Sequence, residues 1–246
     1  MPEAGFAGRE ASPARDVRDA VVMAAGEGRR LRPLTDRWAK PVLPIDGRPV
    51  LAALLRELAA AGIERCVVVT GHLAAQVEAL AGDGAAFGLE VSFVRQPSPD
   101  GSADAVRRAR LEPPFLVAGA DTLFGPGDVE RFVSAAEGFD GAVAVRRDPP
   151  PEPPHRHPVR VVDGAVDRVL DDDPGNPLAG APLWVLGPQV AERLTDLPGP
   201  PYELARAFQR AIDAGARIAG VEIGATRDLT RPEDLVEENF PYLQGL

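Results

Sequence analysis

Asp19-Ala20-Val21-Val22-Met23-Ala24-Ala25-Gly26-Glu27-Gly28-Arg29-Arg30-Leu31 runs from an apolar hexapeptide directly into a turn with two glycines. A short run of Val, Met and Ala suits a strand buried on both faces, as in a parallel sheet. Glycines at its end suit a loop that passes close to a ligand. Outward from this stretch, strand-like and helix-like segments alternate. Leu51, Leu54, Leu55, Leu58 and Ile63 recur at helical spacing after Pro49, and Gly62 marks the stop. The pattern then predicts strands over 66–70, 91–94, 115–118 and 142–145, separated by helices over 73–80, 103–110 and near 128–136. Such alternation implies βαβ units and an α/β fold: a Rossmann-like, mostly parallel sheet flanked by helices.

The run Pro149-Pro150-Pro151-Glu152-Pro153-Pro154 interrupts the alternation, because proline cannot join a sheet interior. Beyond it, Asp163-Gly164 between two β-rich runs predicts a hairpin over 159–170. A strand over 181–186 follows, then an amphipathic helix over 202–214 through Leu204, Ala205, Phe208 and Ile212, stopped by Gly215. A strand over 217–221 precedes Asp228 and a short helix opened by Pro232. Residues 1–18 mix Gly, Ala, Glu and Arg without an apolar signal core and read as a disordered extension. The expected organisation is one domain over 19–246, with a parallel-sheet half to 145 and a smaller, hairpin-bearing half from 146.

The 246 residues carry a formal charge of −10, with 45% hydrophobic and 26% charged residues, an ordinary globular balance. That charge argues against a nucleic-acid or anionic membrane partner, while leaving room for small anions held by a local cationic pocket. Cys66 is the single cysteine, so there is no intrachain disulfide; it opens an apolar run and reads as a buried structural thiol. No segment approaches the roughly 18 apolar residues of a membrane span, and the expected compartment is the cytoplasm. Oligomeric state, monomer or homo-oligomer, is undetermined by sequence.

Lys40 is the only lysine, set against 26 arginines. Lysine offers a compact point charge on a flexible stem, which suits moving one positive charge among several phosphate oxygens. Its surroundings, Arg30-Leu31-Arg32-Pro33-Leu34-Thr35 and Lys40-Pro41-Val42-Leu43-Pro44, are neither a dinucleotide fingerprint nor a Walker A loop. They resemble the signature of the sugar-phosphate nucleotidyltransferases, the nucleotide-sugar pyrophosphorylases. The resemblance continues through Arg95-Gln96-Pro97 with Gly101-Ser102-Ala103-Asp104-Ala105, through Gly119-Ala120-Asp121 at a strand end, and through Arg227-Asp228 before Thr230-Arg231-Pro232-Glu233-Asp234-Leu235.

The resemblance implies a GT-A-like fold whose halves bind nucleotide (19–145) and acceptor (146–246). It also implies a reaction in which an acceptor phosphate attacks the α-phosphate of a nucleoside triphosphate and pyrophosphate leaves. Both reactants are anions, so positioning and charge stabilisation dominate. By resemblance, Arg30 and Lys40 are catalytic, on the leaving phosphates and beside the α-phosphate. Ala25, Gly26, Gly28, Gln96, Gly101 and Ser102 bind nucleotide, with Gln96 reading a pyrimidine base. Asp121 and Asp228 hold Mg²⁺, a hard cation that takes one or two carboxylates plus phosphate and water oxygens. Gly180 and Arg160 are candidates on the acceptor side.

The acceptor half departs from the family pattern. Where relatives carry a lysine for the acceptor phosphate in a Glu-Lys-Pro run, this chain has Asp172-Asp173-Pro174, and His157-Pro158 stands for a Tyr-Gly pair. Arg160 or Arg168 could supply the missing charge. Three functions follow. One is a nucleotide-sugar-forming transferase using UTP or dTTP. The second is a CTP-dependent enzyme acting on a non-sugar phosphate or phosphonate, and the third a catalytically silent binder of nucleotide-sugar. His155-Arg156-His157 and Asp171-Asp172-Asp173 read as solvated loops, and His72, Trp38 and Trp184 as packing or hydrogen-bonding residues near the site.

Overall fold

The computed structural model describes residues 17–147, 158–173 and 175–240. The expected extension up to residue 16, the proline-rich run, the His155–His157 cluster and Pro174 lie outside these. Val17 is buried, and the Arg18 carbonyl accepts hydrogen bonds from the Glu64 and Arg65 amides, so both belong to the folded body and not to an extension.

The first half follows the predicted alternation closely. Strand β1 (Asp19–Ala24) leads to a two-strand ribbon, β2 (Pro44–Ile45) and β3 (Arg48–Pro49), then helix α1 (Val50–Ala60). Next come β4 (Arg65–Thr70), α2 (Ala74–Ala81), β5 (Glu90–Arg95), α3 (Ser102–Ala109) and β6 (Phe115–Gly119). After β7 (Thr122–Leu123) and α4 (Asp128–Ala135) the chain enters β8 (Gly141–Arg146). The second half contributes β9 (Arg160–Val162), β10 (Ala165–Arg168), β11 (Ala179–Leu186), α5 (Pro188–Ala191), α6 (Leu204–Asp213), β12 (Ile218–Glu222), β13 (Arg227–Asp228) and α7 (Pro232–Asn239).

Nine strands form one sheet in the order β5-β4-β1-β6-β11-β8-β12-β10-β9. Pairings β5·β4, β4·β1, β1·β6 and β8·β12 are parallel, whereas β11 lies antiparallel between β6 and β8. The expected halves are therefore consecutive in sequence but interleaved in space, since β11 from the second half separates two strands of the first. The hairpin is not a detached acceptor module either. Its β10 pairs with β12 through Ala165 and Ala219 and extends the same sheet. Asp163 and Gly164 both take positive φ, +49° and +79°, the twist that a two-residue hairpin turn requires.

Alternation along the strands loads both faces of the sheet. Val22, Val68, Leu116 and Leu183 face Leu51, Leu54, Leu55 and Leu58 of α1 and Phe132 of α4. Val21, Val69, Val117 and Val143 face Val106 of α3 and Leu204 and Phe208 of α6. Cys66 is fully buried, and burial pushes its thiol pKa up to about 12, in keeping with a structural thiol. Among the described residues no helix is long and apolar enough to cross a membrane.

Candidate active site

Strand order 5-4-1-6 means that the chain moves outward from β1 to β4 and β5, then returns to place β6 on β1's other side. The carboxyl ends of β1 and β6 flank this switch point, where open α/β sheets bind ligands. The glycine turn leaves β1 here, and Asp121 follows β6 after Ala120, whose amide donates to the Met23 carbonyl at 3.1 Å. Strand β7 then pairs with β13, with Thr122 opposite Asp228. Two carboxylates distant in sequence are thus brought to adjacent strand tips.

The segment between β1 and β2 is a chain of single 3-10 turns, not a long helix, and it is fixed from several sides. Gly28 takes φ +61°, and a Cβ there would come within 2.9 Å of Thr35 Cγ2 and 3.3 Å of Lys40 Cβ. The Gly28 carbonyl accepts from the Leu31 amide and the Thr35 hydroxyl. His72 Nε2 lies 2.7 Å from the Thr35 carbonyl, and Gln76 accepts from the Ala39 amide while donating to the Arg37 carbonyl. Leu31, Leu43, Ile45, Val50 and Leu229 form a small core of their own. That core fastens the loop carrying Arg30 and Lys40 onto the segment carrying Asp228. Trp38 stands out into solvent, 55% exposed, in place of the expected packing role.

Lys40 is the hub of the site. Its side chain is only 12% exposed, and Nζ lies 2.6 Å from Asp121 Oδ2 and 3.9 Å from Asp228 Oδ2. Asp228 also accepts from the Thr230 hydroxyl at 3.1 Å. Arg30 is exposed and its side chain has no ion-pair partner among the described residues, so its guanidinium is free for an anion.

Two clefts meet at these residues. The first, about 320 Å³, is lined by Gly26, Gly28, Arg30, Lys40 and Asp121, with Leu229 and Thr230 opposite. The second, about 580 Å³, shares Arg30, Lys40 and Asp121 and adds Asp228, Gly180 and Trp184. Ala25 lines neither cleft, and its carbonyl accepts from the His72 amide. Ser102 lines the second cleft, tied to α6 by a bond to Glu203 and by the Leu204 amide.

Two expected contacts are placed differently. Gln96 is buried, and its amide nitrogen donates to the Gly101 carbonyl at 3.0 Å and to Asp104 Oδ2 at 2.9 Å. Both of its N–H groups therefore hold the 101–104 turn, and Gln96 lines neither cleft. Gly101 takes φ +109° with the Tyr202 backbone against it, where a Cβ would meet the Tyr202 carbonyl oxygen at 2.4 Å. Arg160 is exposed on the hairpin, paired with Asp167, and is not part of either cleft wall. Arg168 is likewise outside both walls.

Besides Arg30, the second cleft is lined by Arg146 and Arg206, neither of which was singled out from sequence. Arg146 is the last residue of β8, and the carboxyl ends of parallel strands are where ligands collect. That position was the signal available for it. Arg206 sits on the exposed face of α6, where sequence offers no such cue.

The donor set can be tested for the implied metal. No group of three or more His, Cys, Asp or Glu converges among the described residues. The carboxylates of Asp121 and Asp228 meet at the Lys40 ammonium. Two hard carboxylates are too few for a protein-only cage, and their chemistry fits Mg²⁺, which keeps waters and takes phosphate oxygens.

The family model described as nucleotidyl transferase matches residues 19–155, more than half the chain. A mannose-1-phosphate guanylyltransferase of Mycobacterium tuberculosis is 32% identical over 93% of this chain and 65% of its own length. A CMP-5'-(3-aminopropyl)phosphonate synthase of Streptomyces rubellomurinus is 37% identical over 68% of this chain and 26% of its own. The chain thus spans less than two thirds of the length of either relative. The solved inositol-1-phosphate CTP transferase of T. maritima superposes with a TM-score of 0.74 at 21% identity, covering 89% of this chain and 91% of that one, which establishes the GT-A-like fold. With its signature loop, paired carboxylates and matching family model, the chain belongs to the nucleotidyl transferase family.

Proposed function

We propose that this chain transfers a nucleoside monophosphate from a nucleoside triphosphate to a phosphorylated small molecule, with a sugar 1-phosphate as acceptor and a nucleotide-sugar as product. The observation that carries this is the sharing of Arg30, Lys40 and Asp121 by two clefts, so that two anionic reactants can meet at one ammonium. The acceptor's phosphate oxygen forms a bond to the α-phosphorus, the α–β bridging P–O bond breaks, and pyrophosphate departs with the electron pair. Backbone N–H groups of the glycine turn approach the phosphates, and Arg30 holds the β- and γ-phosphates by its planar fork. Lys40 balances charge at the α-phosphate, and the apolar side chains of Trp184, Val143 and Val169 in the second cleft's wall strengthen that interaction. Asp121 and Asp228 would hold Mg²⁺, which when bound supplies charge neutralisation of the phosphates. UTP or dTTP is the donor suggested by the resemblance.

A second reading keeps the chemistry and changes the substrates to CTP and a non-sugar phosphate or phosphonate. It is favoured by Asp172-Asp173 standing where a lysine is expected and by the 37% identical relative named for a CMP-phosphonate product. The test is pyrophosphate release across UTP, dTTP, CTP, GTP and ATP against sugar 1-phosphates and aminoalkyl phosphates and phosphonates, with Mg²⁺. Turnover of sugar 1-phosphates establishes the first reading, and turnover confined to CTP with non-sugar acceptors establishes the second. Silence throughout, with tight nucleotide-sugar binding, leaves the silent binder.

A further inference from the structure

Arg146 is a charged side chain held in the wall of the second cleft without a charged partner. Its Nη1 donates to the Thr226 hydroxyl, and its Nε is buried with no hydrogen-bond partner among the described residues. Surrounding arginines are neutralised at the surface, Arg147 by Glu222 and Arg160 by Asp167. A guanidinium keeps its charge at any working pH, and a buried N–H without an acceptor is unfavourable. The side chain as a whole is half-buried in the cleft wall, so its uncompensated charge is open to an anion that enters. Arg206 reaches the same cleft from α6, and its side chain has no ion-pair partner among the described residues.

We propose that Arg146 grips the anionic head of the acceptor, a phosphate monoester or phosphonate dianion, and that Arg206 closes on it from the opposite wall. This rests on the transferase reading above and assigns the cation that the acceptor half lacks as a lysine. The cleft places Arg146 with Lys40, Asp121 and Asp228, so an anion held there is directed toward the donor phosphates. A fork also changes selectivity. Two parallel N–H donors match two oxygens of one phosphate or phosphonate head, and the second negative charge of such a dianion favours it over a singly charged carboxylate.

The test compares wild type, Arg146→Gln, Arg146→Lys and Thr226→Val, with folding checked by circular dichroism and melting. Inorganic phosphate is titrated calorimetrically into the nucleotide-free protein. Arg146→Gln is expected to weaken phosphate binding about tenfold or more, as loss of a charge-assisted hydrogen bond does, with Arg146→Lys intermediate. Thr226→Val changes it less than about threefold, because it leaves the charge-assisted contact in place. In turnover assays the acceptor KM rises at least about tenfold in Arg146→Gln, the same loss, while the triphosphate KM moves less than about twofold. Phosphate binding unchanged in Arg146→Gln, or lost equally in Thr226→Val, overturns the assignment, since Arg146 would then only brace the loop before Asp228. Absence of turnover with every acceptor defeats the transferase reading alone, because the phosphate titration still decides Arg146.

Discussion

The Lys40 ammonium sits 2.6 Å from Asp121 and 3.9 Å from Asp228, so the chain's only lysine bridges its two site carboxylates. One positive and two negative charges leave that trio with a formal deficit of one, suited to an added cation. Arginine in its place would bring a wide planar fork that clasps one carboxylate bidentately and cannot slide between phosphate oxygens. Lys40→Arg is expected to melt near the wild-type temperature and to lose roughly 10²- to 10³-fold in turnover, the scale of one lost transition-state donor. Pyrophosphate release measured beside a thermal melt checks this, and wild-type turnover in a folded variant would remove the role given to the ammonium.

The paired acids make a separate prediction. Chelation by EDTA should abolish pyrophosphate release, and added Mg²⁺ should restore it. Asp121→Asn and Asp228→Asn each leave one hard carboxylate, and each should raise the Mg²⁺ needed for half-maximal rate by about tenfold or more. Asp121→Asn also removes the closer partner of Lys40 and should cost more turnover than Asp228→Asn. Mg²⁺ titrations of both variants decide it, and undiminished rate in EDTA would refute the metal assignment.

Gly28 ties the turn to Lys40. With φ +61° and Thr35 and Lys40 packed against its missing Cβ, an added methyl is both conformationally strained and crowded. Gly28→Ala should push the Lys40 backbone away from Asp121 and reduce kcat about tenfold or more, since misplacing a catalytic group by even 1 Å is costly. Gly26→Ala, in open space, is expected to be much milder. Steady-state kinetics on the two variants give the comparison, and equal losses would mean that general loop disorder, not contact with Lys40, sets the effect.

The elements of the first half were legible because each is a local pattern: β1, β4 and β6 are short apolar runs, and α1 has leucines at helical spacing. The positions of Lys40, Asp121 and Asp228 were legible through motifs, and the structure brings all three together. Insertion of β11 between β6 and β8 was not legible, since pairing partners depend on long-range packing that periodicity does not encode. The partners of Gln96 were not legible for a related reason. An amide beside a glycine turn looks free in sequence, and only the fold supplies Asp104 and the Gly101 carbonyl as its acceptors. Arg146 escaped notice because one arginine among 26 is inconspicuous until its place in the cleft wall is seen.

Asp104 is where stability and site geometry meet, and its pH dependence can be worked out. The carboxylate is buried and accepts from Arg108 Nε at 2.6 Å, Gln96 Nε2 at 2.9 Å and Arg107 Nη2 at 3.2 Å. Burial alone would raise its pKa, but the hydrogen bonds from Arg108 and Gln96, with the Arg108 charge and Arg107, outweigh that and hold it below the ordinary 3.8. Because the folded pKa is depressed, this contribution is fully present above the unfolded value and is lost as pH falls below about 3.8 through the lower folded value. Asp104→Asn removes the charge-assisted bonds and should destabilise the protein at pH 7 by about 1–3 kcal/mol. For a chain of this length that is a fall of roughly 3–10 °C in melting temperature. The gap between variant and wild type should shrink as the pH is lowered from 5 toward 3. Melting curves across that range check the sign, and a gap that stays constant would show that packing, not the ionised carboxylate, is what Asp104 contributes.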